Sequence, residues 1–543
     1  MSSKDVKIKY WSLLLVLGIF SFAVFLSVSW EFTADDAFGI FRYSENIASG
    51  HGFVWNIGGE PVEGSSFLLY IILVGISYTG IGMVLASKVV GILSLIGVMV
   101  LFGAISKSIM KEFPKGLILL GFFISTTLLL TNPATAIHAV SGMDTMLLAF
   151  LLLGTVYAAL ITASNPTANS MALFSLSALA LVLLRPEGLA VSILLLLFLF
   201  ITKRNDGDFN KIKYIKIFSA FYILPIAIYT AWKTTYFGGF FNLAFLTKTL
   251  THGGLFRGFP TFMRVMGYLS PYLLIILLAS VLLLESGALG DKRRKMLVRN
   301  FTFLQASVLA AVSFIPVYMF SVMMMNFAQR YYYPIFVLVY IIAGTSIAIL
   351  YNHLSDSESS LPRGQLMKSF GVAVSIILLI GANVYFISHL QETTQYAAGF
   401  SRGHVPLGKV MNKYKDSNLT MAAIDMGALS YYSGWRFIEL GGLMDKYIAE
   451  HGAASYEYME TIDPDVIILI SRSHDEYDEN IIPLLSDMQE EVFEYAEKNG
   501  FVKAAGVRVW DGYYIIPFIK PDLEELPDME KSIKTVAAKS LIS

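Results

Sequence analysis

The chain has no cysteine among its 543 residues. That excludes disulfides, a thiolate nucleophile and any cysteine metal site. Charge is scarce, at 15% of residues, and sums to a formal −1, so no nucleic-acid partner is expected. Neither a P-loop nor a dinucleotide-binding glycine motif occurs, which leaves use of a nucleotide sugar unsupported.

What is present is apolar length. Hydrophobic residues make up 55% of the chain and the mean hydropathy is +0.61, values of a polytopic membrane protein with some soluble mass attached. Apolar tracts predict about eleven spanning helices: 11–30, 83–106, 116–132, 145–163, 170–184, 187–202, 217–236, 263–284, 301–325, 332–351 and 369–388. The first tract follows Lys4, Lys7 and Lys9, has no small-residue cleavage pattern, and reads as a retained helix. Segment 67–80 is short and apolar and is expected to lie at the interface.

Four basic clusters each follow an even number of crossings: Lys4–Lys9, Lys107–Lys115, Lys203–Lys216 and Lys292–Arg299. The positive-inside rule then predicts a multi-pass protein of the cytoplasmic membrane, N-terminus inside and C-terminus outside. The first loop, the 133–144 loop, the Arg185 turn and the 237–262 loop face outward on that map. Two regions follow. Residues 1–388 form the transmembrane part, with a chemically rich first outer loop at 31–66. Residues 389–543 form a soluble, extracytoplasmic α/β domain, with buried strands near 420–424 and 466–470 and an amphipathic helix at 483–499. The tail after 521 is expected to fray. Charge divides the same way: residues 389–543 carry 25 Asp and Glu against 14 Lys and Arg, and residues 1–388 carry 16 against 26.

The first outer loop stands out. Asp35 and Asp36 sit where a membrane helix meets water, and a carboxylate there can deprotonate a sugar hydroxyl or bind a metal that does so. A pair of acids at a helix N-terminus is also ordinary helix chemistry. Between the two, Asp35 lies nearer the membrane surface and is slightly favoured. Asp35-Asp36-Ala37-Phe38, Phe41-Arg42-Tyr43, Gly50-His51-Gly52-Phe53-Val54-Trp55-Asn56 and Val62-Glu63-Gly64 together resemble the first outer loop of GT-C class glycosyltransferases that use lipid-linked sugars. The resemblance is greatest to the terminal arabinofuranosyltransferases of mycobacterial cell-wall synthesis. Ser141-Gly142-Met143-Asp144-Thr145, Leu184-Arg185-Pro186-Glu187-Gly188, Asp425-Met426-Gly427-Ala428-Leu429 and Gly441-Gly442-Leu443-Met444-Asp445 continue it in family order. Ser65-Ser66 stands in place of Thr-Asn, and Asp144 in place of Glu.

The resemblance implies a polyprenyl-phosphate-linked sugar as donor and a glycan, lipid or protein acceptor on the outer membrane face. The sugar, arabinofuranose or another pentose or hexose, is left open. Asp35 or Asp36 would act as the base. Arg42, Arg185, Arg330 and Lys248 would hold the donor phosphate. His51, Trp55, Glu63, His138, Asp144 and Glu187 would bind sugar or acceptor. Each has a plainer reading: arginine and tyrosine anchor helix ends, tryptophan belongs at interfaces, and loop histidines and acids satisfy backbone. A divalent cation is left open, with no ligand set assigned. The alternative, a multi-pass transporter of envelope precursors, predicts charges near the middle of spans and paired broken helices, and the sequence offers few of either. A structural envelope protein would leave the Asp-Asp loop idle.

Overall fold

The computed structural model describes residues 3–542 except 65, 205, 207, 208, 241, 255, 286–290, 322, 324, 357–361, 479, 481 and 482. Residues 3–10, 249, 250, 282–285, 291–301, 353–356 and 362–372 are described by backbone alone, so the basic side chains of the first and last clusters and Ser65 lie outside the described residues.

Every expected apolar tract is a helix. Among the described residues eight helices are long and apolar enough to cross a membrane, and a bent pair makes a ninth. Two shorter apolar helices, Ala168–Leu184 and Gly188–Thr202, complete the eleven. Their 17 and 15 residues reach about 26 and 23 Å, short of the roughly 30 Å hydrocarbon core. They meet at the Arg185-Pro186-Glu187 turn. Segment 67–80 is the helix Phe67–Ser77.

The bent pair corrects one expectation. Residues 133–144, read as a loop, contain the buried helix Pro133–Val140, turned 70° from Lys115–Leu130. Asn132 accepts a hydrogen bond from the Ala134 N–H, and Pro133 occupies the first turn, where a missing N–H costs nothing. One polar group ties the bundle together nearby. Asn383 donates to Leu128 O and Thr131 Oγ1, each at 3.0 Å, and accepts from Tyr272 Oη at 2.6 Å.

Helix Pro362–Asn383 continues through one 3-10 turn, Val384–Phe386, into Ile387–Arg402. The chain therefore passes from bundle to C-terminal domain along a near-continuous helix, without a linker. The domain's sheet consists of β1 (Thr420–Ala423), β2 (Arg436–Glu439), β3 (Val466–Ser471), β4 (Val502–Lys503), β5 (Val507–Trp510) and β6 (Tyr513–Ile519). Its order is β2-β1-β3-β6-β4, and β5 also pairs with β6. β1 runs parallel to β2 and β3, and β6 is antiparallel to its partners. Alternation splits the sheet's two faces. Met421, Ala423, Val466, Ile468 and Ile519 join a core continuous with the bundle, while Ala422, Ile467, Leu469 and Phe518 pack with helix Pro483–Lys498 on the far side.

The tail is a second correction. Residues expected to fray form helix Leu526–Ile542, with Met529, Ile533, Val536 and Ala537 buried. Four buried residues at helical spacing supply enough apolar area to hold it.

Candidate active site

A cleft of about 970 Å³, counted to its open mouth, lies between the helix ends of the bundle and the C-terminal domain. Asp36, Glu187, Arg185, Arg330 and Lys248 line it with Tyr318 and Tyr331, and Met426, Leu443 and Met444 of the C-terminal domain close its other side. Helix Met83–Ile109 and helix Gly188–Thr202 begin at the level of the cleft and end at Lys107 and Lys203, so these basic clusters lie at the opposite end of the bundle.

The paired acids open helix Asp35–Ala48, and adjacent helical positions point about 100° apart. Their side chains have separate environments. Asp35 turns to the C-terminal domain, where its carboxylate accepts from the Gly427 and Ala428 N–H groups at 2.9 and 2.8 Å. That approach requires glycine at 427, since a Cβ there would run into the Asp35 carbonyl. Burial, then the nearby Asp425, pushes the Asp35 carboxyl up to about 7. Asp425 itself lies 2.7 Å from His404 Nε2 and accepts from Tyr513 Oη at 2.9 Å.

Asp36 turns into the cleft and pairs with Arg330 Nη2 at 2.9 Å. Burial works to raise its carboxyl, but Arg330, Lys248 and Arg185 outweigh that and hold it below the ordinary value. Arg330 is only 3% exposed, its Nη2 also reaches Tyr331 Oη at 2.9 Å, and its Nε and Nη1 are buried without a partner among the described residues. Burial alone would raise the Tyr331 hydroxyl as well, yet Arg330 and Lys248 bring it below its usual value. The segment before Arg330 carries left-handed backbone at three non-glycine residues, Met325, Ala328 and Gln329 (φ 53°, 44° and 58°). Backbone of this kind is sparsely populated and collects at functional sites. Lys248 belongs to the helical turn Leu246–Thr251, stapled to the C-terminal domain by Thr247 Oγ1 donating to Gly442 O and Thr251 Oγ1 to Ala449 O.

Arg185 lines the cleft, but its Nε and Nη2 are both committed to Asp144 at 2.8 Å. Asp144 is fully buried and also accepts from Ser66 Oγ at 2.6 Å. Glu187 accepts from Tyr318 Oη at 2.9 Å, and its second oxygen is buried without a partner among the described residues.

Five other residues singled out from the sequence do not line the cleft. Arg42 spends its donors on Trp55 O, Ser430 O, Trp435 O and Asn56 Oδ1 and rests 4.7 Å over the Trp55 ring. It pins the first loop to the C-terminal domain, with all three guanidinium nitrogens engaged away from the cleft. Trp55 is 2% exposed and donates to Phe437 O, so its faces are not open to a sugar. Glu63 pairs with Lys233 at 2.8 Å. His138 is buried behind the Arg330 segment, with Nε2 3.0 Å from Ala328 O. His51 is exposed past the far end of helix Asp35–Ala48, roughly 20 Å along it from Asp36.

Sequence reasoning did not single out Tyr318, Tyr331 or the cleft face of the C-terminal domain. Tyr331 had a signal, its place beside Arg330. Met444 had one in the Gly441-Gly442 turn, whose backbone is gathered by the buried Glu439 carboxylate, an acceptor from the Gly441, Leu443 and Met444 N–H groups. Among the described residues no three His, Asp or Glu side chains stand close enough to hold a metal ion, and the partners of Asp36 are cations of the protein.

Residues 388–514 match a family model described as Domain of unknown function (DUF8728). No curated protein matches the chain. Among solved structures it is similar to ArnT from Cupriavidus metallidurans bound to undecaprenyl phosphate, at 10% identity and a TM-score of 0.55, covering 95% of this chain and 98% of that one. The apo state of the same protein gives 12% identity and a TM-score of 0.52, covering 94% and 98%. The archaeal oligosaccharyltransferase AglB from Archaeoglobus fulgidus, in complex with an inhibitory peptide and a dolichol-phosphate, is more distant, at 9% identity and a TM-score of 0.48 over 85% of this chain and 69% of that one. The ArnT likeness spans nearly the whole of both chains, and with the helix count and the C-terminal sheet it makes this a polytopic α-helical membrane protein of GT-C-like fold carrying a C-terminal α/β domain.

Proposed function

We propose that the protein is a membrane glycosyltransferase that moves a sugar from a polyprenyl phosphate to an acceptor hydroxyl at the membrane surface. The observation that carries this is the Asp36–Arg330 pair. It places an ionised carboxylate against a guanidinium with two free, buried donors in an open cleft at the helix ends. Buried donors without partners are costly unless an anion meets them.

In this reading Arg330 and Lys248 hold the donor phosphate, with Arg185 adding its field. The acceptor hydroxyl attacks the anomeric carbon and a new C–O bond forms. The bond from that carbon to the phosphate oxygen breaks, and its electron pair leaves on the phosphate. Asp36 takes the hydroxyl proton. The geometry also couples binding to basicity. A phosphate that claims Arg330 loosens the pair holding the Asp36 carboxyl low and adds negative charge beside it, so donor binding raises the proton affinity of the base. Arg330 then stabilises the charge that develops on the leaving phosphate.

The likeness to a structure holding undecaprenyl phosphate supports a lipid-linked donor. The loop motifs leave the sugar open between arabinofuranose and another pentose or hexose. The basic clusters at the far end of the bundle support a cleft and C-terminal domain on the outer face of the cytoplasmic membrane. Turnover of the purified protein against a panel of polyprenyl-phosphate pentoses and hexoses tests the reading. Release of polyprenyl phosphate with one donor and a suitable acceptor is expected, and release with none would sink it.

A further inference from the structure

A second cationic site lies on the C-terminal domain, apart from the cleft. Helices His404–Met411, Gly427–Ser433 and Leu526–Ile542 form one layer on the sheet face that shares a core with the bundle, to which Leu407, Leu429 and Ile533 contribute. Gly427–Ser433 rests on helix Asp35–Ala48. The other two carry the layer onward, and a groove between them is lined by Arg402, Lys409, Lys413 and Lys539 with the hydroxyls of Ser532 and Thr535. Among the described residues no carboxylate lines it. That runs against the surrounding charge, since residues 389–543 carry 25 Asp and Glu against 14 Lys and Arg. Four cations sorted together in an acidic domain form a local field suited to an anion.

The groove's position indicates which anion. Lys409 Nζ lies 5.4 Å from the centre of the Tyr432 ring. Tyr432 and Tyr431 form one wall of a neighbouring groove, and Trp30, Leu85 and Lys88, at the ends of two spans, form the other. Tryptophan, tyrosine and lysine gathered at span ends are the composition of the headgroup layer. The basic groove therefore sits one side chain away from that layer. Helix Leu526–Ile542 also ends in Leu541 and Ile542, 41% and 88% exposed. Basic side chains beside an exposed apolar end are how a helix lies on an anionic bilayer. We propose that this groove binds the phosphates of anionic lipid headgroups and docks the C-terminal domain on the bilayer surface. The proposal rests on the membrane fold and not on the sugar-transfer reading.

The cysteine-free chain makes the test direct. A single Ala538→Cys on the exposed side of the last helix carries an environment-sensitive dye, and the full-length protein is placed in nanodiscs of phosphatidylcholine with or without phosphatidylglycerol. A blue shift is expected in the anionic discs alone, and high salt should reverse it. Lys409→Gln, Lys413→Gln and Lys539→Gln should each lower the ratio of lipid-occupied to empty groove by roughly fivefold. These side chains are exposed, so elution and melting of the variants should match the parent. Equal spectra in the two discs would overturn the proposal, as would a shift that survives in the triple variant. Inorganic phosphate producing the same shift in neutral discs would reassign the groove to a free phosphate and also overturn it.

Discussion

Replacing Arg185 with alanine separates two roles that the resemblance had merged. A residue that only contacts donor phosphate can be removed with the fold intact. Arg185 is different, because two of its nitrogens meet Asp144 at 2.8 Å and Asp144 has 0% side-chain exposure. Arg185→Ala leaves that carboxylate buried, with Ser66 Oγ as its remaining hydrogen-bond donor among the described residues. Stranding one member of a buried ion pair costs about 3–5 kcal/mol, against about 1.5–3 kcal/mol for a lost charge-assisted contact to a ligand. The single variant should therefore melt well below the parent when solubilised protein is followed by tryptophan fluorescence. Adding Asp144→Asn removes the stranded charge and should recover most of the loss. The reasoning fails if Arg185→Ala melts like the parent while turnover falls, or if the double variant is no more stable than the single.

Other substitutions follow from the same geometry. Arg330→Lys keeps the charge beside Asp36 but loses the planar fork with its two free donors, so donor KM should rise by roughly 10- to 150-fold with melting nearly unchanged; unchanged donor kinetics would return Arg330 to a purely structural role. Asp35, raised from 3.8 to about 7, binds a proton in the folded protein that the unfolded chain releases. Its contribution to stability is full below about pH 4 and is lost as pH rises to about 7, so Asp35→Asn should flatten the slope of melting temperature against pH over that window. An unaltered slope would assign the dependence to other groups. Glu450→Cys, on the exposed end of a C-terminal-domain helix, should react with a membrane-impermeant maleimide in intact cells, and labelling only after lysis would invert the proposed orientation.

The bundle was legible because the bilayer leaves a chain little choice: an apolar run of twenty residues must satisfy its backbone internally, and each such run is a helix. Several helices escaped detection, Asp35–Ala48 in the first outer loop among them, and two others had local signals. Asn132-Pro133 is a cap followed by a first-turn proline, and Met529, Ile533 and Val536 follow helical spacing. The site was legible as a loop but not as a set of roles. Asp35 and Asp36 are neighbours with the same chemistry, and what distinguishes them is far away in sequence: the backbone at Gly427 and Ala428 for one, Arg330 for the other. Arg42 is likewise explained by carbonyls at Ser430 and Trp435. The preference for Asp35 rested on closeness to the membrane surface, a one-dimensional argument that cannot show which way a side chain points. The structure moves the proposal for the base to Asp36, the acid that lines the cleft.

The central claim is that Asp36 removes the acceptor proton, and a comparison of Asp36→Asn with the parent tests it most directly. Asparagine keeps the shape and can still accept one hydrogen bond from Arg330, but it cannot take a proton at neutral pH. With saturating polyprenyl-phosphate sugar, single-turnover transfer should slow by roughly 10²–10⁴-fold while the donor is bound at least as tightly as by the parent. Transfer by Asp36→Asn at the parental rate, with donor bound equally well, would contradict the account.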